Sequence, residues 1–233
     1  MKARKAMILA AGLGTRMQPF TNDKPKALLE YNGIPLLEHV ITKLKSSGFK
    51  EIIINIHHFP DQIVSFVKSK NNFDIRIEFS DEREKLRDTG GGIKKAEWFF
   101  EGAPFLVYNV DIISNIDLEA LYQFHLKHEP LATMAVKERV TTRSLLMGRD
   151  RSLVGWRDNR TGDQILIQEN IPYSPIAFSA IHMLSPEIFG LFGDDEVFSI
   201  IDIYLKPNPN KKILLFRHDH DQWMDMGKLE SLQ

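Results

Sequence analysis

The sequence predicts an α/β fold on a mixed, mainly parallel sheet. Apolar runs of strand length alternate with segments of helical spacing through the first half of the chain. The loops that follow these strands carry glycines and carboxylates. The second half switches to closely spaced, strand-like pieces joined by turns. Alternation of this kind implies crossover units, a parallel sheet and helices on both faces, a three-layer Rossmann-like arrangement.

The elements follow in order. "AMILAA" (Ala6–Ala11) reads as a short buried strand. Leu36, Leu37, Val40, Ile41 and Leu44 recur at helical spacing, and that helix ends at Gly48. "EIIINIHH" is a second buried strand, and "DQIVSFVKSK" a helix opened by Asp61. Phe73, Ile75, Ile77 and Phe79 alternate, as in a strand with one buried face. "GGIKKAEWFF" reads as helix and "APFLVYNVD" as a strand ending in Asp111. After the helical "LEALYQFHLKHE" come strand-like "LATMAVKE", "RSLLMGRD", "SLVGWRD", "DQILIQEN" and "PIAFSAIHML". Helical pieces start at Pro186 and Val197, and "KKILLFRHD" and "QWMDMG" follow. No linker or repeat divides the chain, which predicts one domain with two lobes meeting near residue 115. In open parallel sheets ligands sit beyond the carboxyl ends of the strands. The first loop, the segment after Phe79 and Asp111 all fall there.

Composition narrows the function. The 233 residues carry a formal net charge of −1 and no cysteine. That excludes disulfides, thiolate nucleophiles and zinc–thiolate sites, and it suits a reducing cytosol. Near-neutral charge gives no nucleic-acid or membrane footprint, and no apolar run approaches the ~18 residues of a spanning helix. "MKARKAMILAAG" is basic then apolar, yet it runs straight into a loop, so it reads as mature protein. A cytoplasmic protein is expected.

The informative stretch is "ILAAGLGTRMQPFTNDKPKALL" (Ile8–Leu29). It lacks the spacing of a P-loop. Gly12 and Gly14 begin a dinucleotide fingerprint, but Met17 stands at its third glycine and Pro19 interrupts helix entry. A longer loop wrapping a triphosphate remains. Its glycines allow close backbone approach, Arg16 offers a planar fork, and Lys24 or Lys26 a point charge.

"LAAGLGTRMQPFT…PKALL" closely resembles the N-terminal signature of sugar-1-phosphate nucleotidyltransferases. "DTGGGI" (Asp88–Ile93) resembles a segment of their short bacterial members, the N-acetylmuramate-1-phosphate uridylyltransferases and hexose-1-phosphate guanylyltransferases. "VYNVDII" resembles their "NGD" strand end, "AFSAIHML" their "FSGI" strand, and "WMDMGKLESL" their closing motif. Val110, Ala180 and Lys228 replace the usual glycine, glycine and threonine of these motifs. The resemblance implies a GT-A-like nucleotidyltransferase fold, with a nucleotide-binding first lobe and a sugar-binding second lobe.

The implied reaction joins a sugar 1-phosphate to a nucleoside triphosphate and releases pyrophosphate. The attacking phosphate oxygen is already anionic, so no general base is needed. Positioning and fixed positive charge carry such chemistry. The resemblance assigns Mg²⁺ to Asp111 and Asp225, and makes Arg16 and Lys26 the catalytic cations. It gives nucleotide contacts to Ala11, Gly12, Gly14, Thr15, Arg16 and Lys26, and base contacts to Gly90, Gly91 and Gly92, whose backbone would pass a flat base. Asn109, Glu169 and Ser179 are assigned to the sugar phosphate. Each residue also has an ordinary role: capping aspartates, surface cations, turn glycines. "HDHD" (His218–Asp221) reads as a solvated turn, and His57 and His58 stay unassigned. The first expectation is uridylyl transfer to N-acetylmuramate 1-phosphate. The alternatives are guanylyl transfer to a mannose or heptose phosphate, a phosphocholine cytidylyltransferase, which usually lacks "DTGGGI", and a non-catalytic nucleotide sensor. Expected partners are the two small substrates, with no nucleic acid or membrane; oligomeric state is left open.

Overall fold

A computed structural model describes residues 3–208 and 210–227; Lys228 and the end of the closing motif lie outside the described residues. β1 (Arg4–Leu9) leads into the glycine loop, which carries 3-10 turns at Thr15–Met17 and Lys26–Leu28. A hairpin of β2 (Glu30–Tyr31) and β3 (Ile34–Pro35) precedes α1 (Leu36–Ser46). β4 (Phe49–Ile56), α2 (Pro60–Ser69) and β5 (Arg76–Asp81) follow. Then come α3 (Asp88–Lys95), α4 (Glu97–Phe100), β6 (Phe105–Asn109), β7 (Ile112–Ser114) and α5 (Leu118–His128). The second half holds β8 (Ala132–Lys137), β9 (Arg143–Gly148), β10 (Leu153–Asp158), β11 (Gln164–Leu166) and the long β12 (Tyr173–Leu184). It continues with α6 (Ile200–Tyr204), β13 (Ile213–Arg217) and β14 (Trp223–Asp225).

Ten of these strands form one sheet. β5, β4, β1 and β6 lie side by side and parallel. β12 runs antiparallel beside β6 over Ile181–Leu184, and its first half pairs with β9 over Tyr173–Ile176. β8 lies along the other edge of β12, with β13 parallel to it, while β10 and β11 extend from β9. The expected mixed sheet flanked by helices is present. Its parallel part comes from the crossover units of the first half, and its antiparallel part from the short-turn strands of the second.

The period-2 alternation of each strand divides the core between two faces. Ala6, Ile8, Ile52, Ile54, Leu106 and Tyr108 pack on one face under α1, α2 and α5. Met7, Ile53 and Val107 pack on the other with Ile93, Phe99 and Phe100 of α3 and α4, and with Ile200, Ile203 and Tyr204 of α6. Each fully buried side chain of this size contributes roughly 1.5–3 kcal/mol. A small third cluster joins Met17 and Leu29 of the glycine loop to Leu36 and Met226.

Three local expectations are corrected. Asp61 lies inside the first turn of α2 and caps nothing; Phe59, in the left-handed region at φ 49°, precedes that helix. Phe73 belongs to a turn (Asn71–Asp74) rather than to β5, because the successive residues Asn71 to Asp74 all have positive φ, from 50° to 56°. The helix expected at "GGIKKAEWFF" starts earlier, at Asp88, and breaks at Ala96 into α3 and α4.

Candidate active site

The parallel order places β1 between β4 and β6, so the chain reverses its lateral direction beside β1. Such a switch point opens a crevice at the carboxyl edge. A cleft of about 450 Å³ lies there, lined by Leu9–Gly12 after β1, Asn55 of β4, and Asn109–Asp111 after β6. Leu86, Asp88, Thr89 and Val197 close its far wall, and Lys26 reaches it from the glycine loop.

A buried polar triangle holds the mouth of the glycine loop. The Asn55 carboxamide oxygen accepts the amides of Ala10 at 2.7 Å and Ala11 at 3.3 Å. Its nitrogen donates to Glu82 Oε1 at 2.9 Å, and Glu82 Oε2 accepts the Arg87 amide at 3.2 Å. Burial pushes the Glu82 carboxyl up, against the bonds from Asn55 and Arg87 that lower it. The Ala11 amide is therefore committed to Asn55. Beyond it, Gly12 is open, and a Cβ there would meet nothing within 4 Å. Gly14 has φ 66°, and a Cβ would lie 2.9 Å from the Thr21 methyl, so this position needs glycine. Thr15 and Arg16 follow in an exposed turn beside the cleft rather than in its lining. Arg16 makes no hydrogen bond or ion pair among the described residues, so its guanidinium is open to solvent.

At the other end of the cleft two distant aspartates meet. β14 pairs antiparallel with β7, setting Asp225 opposite Ile112, next to Asp111. The Met226 amide donates to the Asp111 carbonyl at 2.8 Å, and Met226 is buried against Met17 and Leu29. Burying that one side chain, worth roughly 2 kcal/mol, ties this segment to the glycine loop. Gly227 shows how close the groups are. A Cβ there would lie 2.7 Å from Lys26 Nζ, 2.8 Å from Asp225 Oδ1 and 2.9 Å from Asp111 Oδ2. Lys26 Nζ makes an ion pair with Asp111, both side chains being largely buried. Two carboxylates and a lysine thus share one small space. No group of three or more carboxylate or imidazole ligands occurs among the described residues. A pair of hard oxygen ligands suits a cation that completes its shell from substrate phosphates and water.

The other assigned residues divide. Asn109 lines the cleft at the end of β6. Gly90, Gly91 and Gly92 are buried within α3 and do not line it. Their Cβ atoms would fall 2.3 Å from the Phe198 ring, 2.1 Å from the Glu196 carbonyl and 2.9 Å from Glu82. The Gly90 and Gly91 amides both donate to the Phe198 carbonyl. Gly90 and Gly91 let α3 seat the 196–198 segment, Gly92 packs against Glu82 and Asn55, and protein rather than a base fills these faces. Ser179 is fully buried, with its hydroxyl 2.7 Å from His218 Nε2, which removes it from any sugar. Glu169 lies on an exposed loop after β11, away from the cleft lining. "HDHD" is a turn, but its first histidine is buried. His218 secures β12 through Ser179, while Asp219 and Asp221 carbonyls accept Lys137 Nζ. His57 Nδ1 pairs with the Glu82 carbonyl at 2.7 Å, and His58 reaches the Thr21 carbonyl at 3.4 Å. Asn55, Glu82 and Thr89 escaped the sequence reading. The one available signal was a polar residue, Asn55, at the apolar end of "EIIINIHH".

A model of the nucleotidyl transferase family matches residues 5–144. The chain belongs to the nucleotidyl transferase family. The N-acetylmuramate alpha-1-phosphate uridylyltransferase of Caulobacter vibrioides is 33% identical to this nucleotidyl transferase over 213 residues, or 85% of this chain and 82% of that protein. The mannose-1-phosphate guanyltransferase of Aspergillus fumigatus is 37% identical over 135 residues, 57% of this chain but only 37% of that longer protein. The structure of HddC from Yersinia pseudotuberculosis, complexed with GMP-PN, shares the fold, with a TM-score of 0.80 at 24% identity over 98% of this chain and 96% of that one. Within its family this nucleotidyl transferase is an enzyme of the sugar-1-phosphate class. No helix among the described residues is long and apolar enough to cross a membrane.

Proposed function

We propose that the enzyme transfers a uridylyl group from UTP to N-acetylmuramate 1-phosphate. The observation that carries the nucleotidyl-transfer chemistry is the meeting of Lys26, Asp111 and Asp225 around Gly227. The choice of sugar and base rests on the Caulobacter relative, which aligns along most of both chains. Guanylyl transfer to mannose 1-phosphate is the second reading, favoured by relatives that align over 57% of this chain.

In this mechanism the triphosphate lies in the cleft, its phosphates beneath the glycine loop. Gly12 leaves room for that approach, and Arg16 is open to bind phosphate oxygens. Lys26 exchanges its contact with Asp111 for the phosphates. It thereby neutralises charge on both substrates and on the departing pyrophosphate. Asn109, at the end of β6, orients the sugar phosphate for in-line attack on the α-phosphorus. Asp111 and Asp225 would hold Mg²⁺, which supplies positive charge to bring the two polyanions together. On this reading the nucleotide contacts lie before residue 115, and the acceptor is shared between Asn109 and the second lobe.

Pyrophosphate release, measured with four triphosphates crossed against a panel of sugar 1-phosphates, tests the substrate reading. UTP with N-acetylmuramate 1-phosphate is the expected best pair; a higher kcat/KM for GTP with mannose 1-phosphate overturns it. With the best pair, Asp111→Asn and Asp225→Asn lose turnover at least tens-fold, or roughly 2 kcal/mol of barrier, while circular dichroism stays native. Normal turnover of either variant at low Mg²⁺ removes that aspartate from the metal.

A further inference from the structure

Arg139 follows β8 by two residues and has no part in the machinery described so far. Its guanidinium lies 3.9 Å from the centre of the Trp223 ring, two residues before Asp225. Nη2 donates to the Phe178 carbonyl at 2.8 Å, and Nη1 makes a long bond of 3.4 Å to Val140. Nε is buried and donates to nothing. Among the described residues this guanidinium makes no ion pair, although an arginine carries five N–H donors. The side chain is held from behind. Lys137 binds the Asp219 and Asp221 carbonyls, the Glu138 amide donates to Asp219 at 2.7 Å, and the Trp223 indole donates to the Ser179 carbonyl at 3.0 Å. Burial lowers the Arg139 pKa, and the nearby Asp225 charge raises it; the group stays cationic at any working pH. A half-buried, rigidly stacked arginine with unused donors costs stability unless an anion completes it.

The ligand's place follows from the two sides of the carboxylate pair. Lys26 touches Asp111 on the glycine-loop side. Arg139 sits on the Asp225 side, bonded to Phe178. The Phe178 side chain lines a second cavity of about 470 Å³ with Thr141, Thr142, Ser144, Trp156 and Ser199. Hydroxyls and an indole are groups that hold sugar rings. Val197 lines the cleft and Ser199 this cavity, two residues apart along the chain.

We infer that Arg139 contacts the acceptor substrate, binding the phosphate of the sugar 1-phosphate beside Asp225 while the triphosphate stays with Lys26. This rests on the sugar-1-phosphate reading of the cleft. The planar fork suits two phosphate oxygens, and stacking on Trp223 fixes its orientation before substrate arrives.

Steady-state kinetics of Arg139→Met and Arg139→Lys, with the best pair from the substrate screen, test it. Arg139→Met should raise the KM of the sugar phosphate at least tenfold and change the triphosphate KM less than twofold. Arg139→Lys should recover only part, because an ammonium keeps the charge and loses the fork. Unchanged constants overturn the inference, and so does a rise confined to the triphosphate KM. If Arg139→Met fails to fold, the lysine variant decides on the same ratio of KM changes. If the wild-type enzyme turns over no pair, the substrate reading fails, and calorimetry with inorganic phosphate decides the arginine separately. A Kd at least fivefold weaker in Arg139→Met, with an unchanged melting curve, supports an anion site there; equal affinity overturns it.

Discussion

Replacing Asn55 by leucine keeps the branching of the side chain and removes both its donor and its acceptor. The Ala10 and Ala11 amides then lose their partner, and Glu82 Oε1 loses its donor, all in positions of 4% exposure or less. An unsatisfied buried group costs about 1–3 kcal/mol, and the three losses share one network, so about 3–5 kcal/mol is expected. That is a large share of the ~5–15 kcal/mol that holds a typical domain. The loss also depends on pH. Glu82 holds its proton more tightly folded than unfolded, so its contribution to stability is greatest at low pH and is lost as pH rises through the raised folded pKa. Asn55 lowers that pKa; its removal raises it further and leaves a buried carboxylate to be ionised at higher pH. Urea unfolding of wild type and Asn55→Leu at pH 5 and pH 8 should therefore show the larger difference at pH 8. The same variant should raise the KM for triphosphate, because the strand end no longer fixes the glycine loop. A loss under about 1 kcal/mol, or one equal at both pH values, would refute the reasoning.

The remaining predictions concern stability. Gly91→Ala should cost about 1–3 kcal/mol in urea unfolding, since its Cβ would lie 2.1 Å from the Glu196 carbonyl. Triphosphate affinity of the folded fraction should stay unchanged, and a selective loss of affinity would return the base to α3. Ala180 has φ 57° where the resembling motif carries glycine, so Ala180→Gly should raise stability by about 0.5–1 kcal/mol. An unchanged or lower melting temperature would count against strain there. Burial holds His125 at about 4 and His182 at about 3, both below the ordinary value of 6.5. Unfolded chains therefore bind the extra protons as pH falls, and stability drops. Between pH 7.5 and pH 5.5 each of these two histidines removes about 1.4 kcal/mol. His182→Gln should flatten that slope by one histidine's share; an unaltered slope would exclude the assignment.

Much of this protein was legible because its signals are local. Continuous apolar runs such as "EIIINIHH", and the helical spacing of Leu36 to Leu44, are patterns over a few residues, and β4 and α1 form where they predict. The glycine loop was legible too, since Gly14 needs φ 66° and close packing whatever the rest of the chain does. Other questions depended on which surfaces meet. The triple glycine has one composition whether its backbone faces a base or another segment; only the packing of α3 on Glu196–Phe198 decides for the segment. Ser179 and His218 look like ordinary polar residues until β12 and β13 bring them into contact. The site itself is of this second kind. Asp111 and Asp225 are separated by most of the second half, and the pairing of β7 with β14 makes them neighbours of Lys26. A strand pattern says that a residue faces up or down, whereas the partner it faces is chosen by sheet order and register, which are set by the packing of the whole chain.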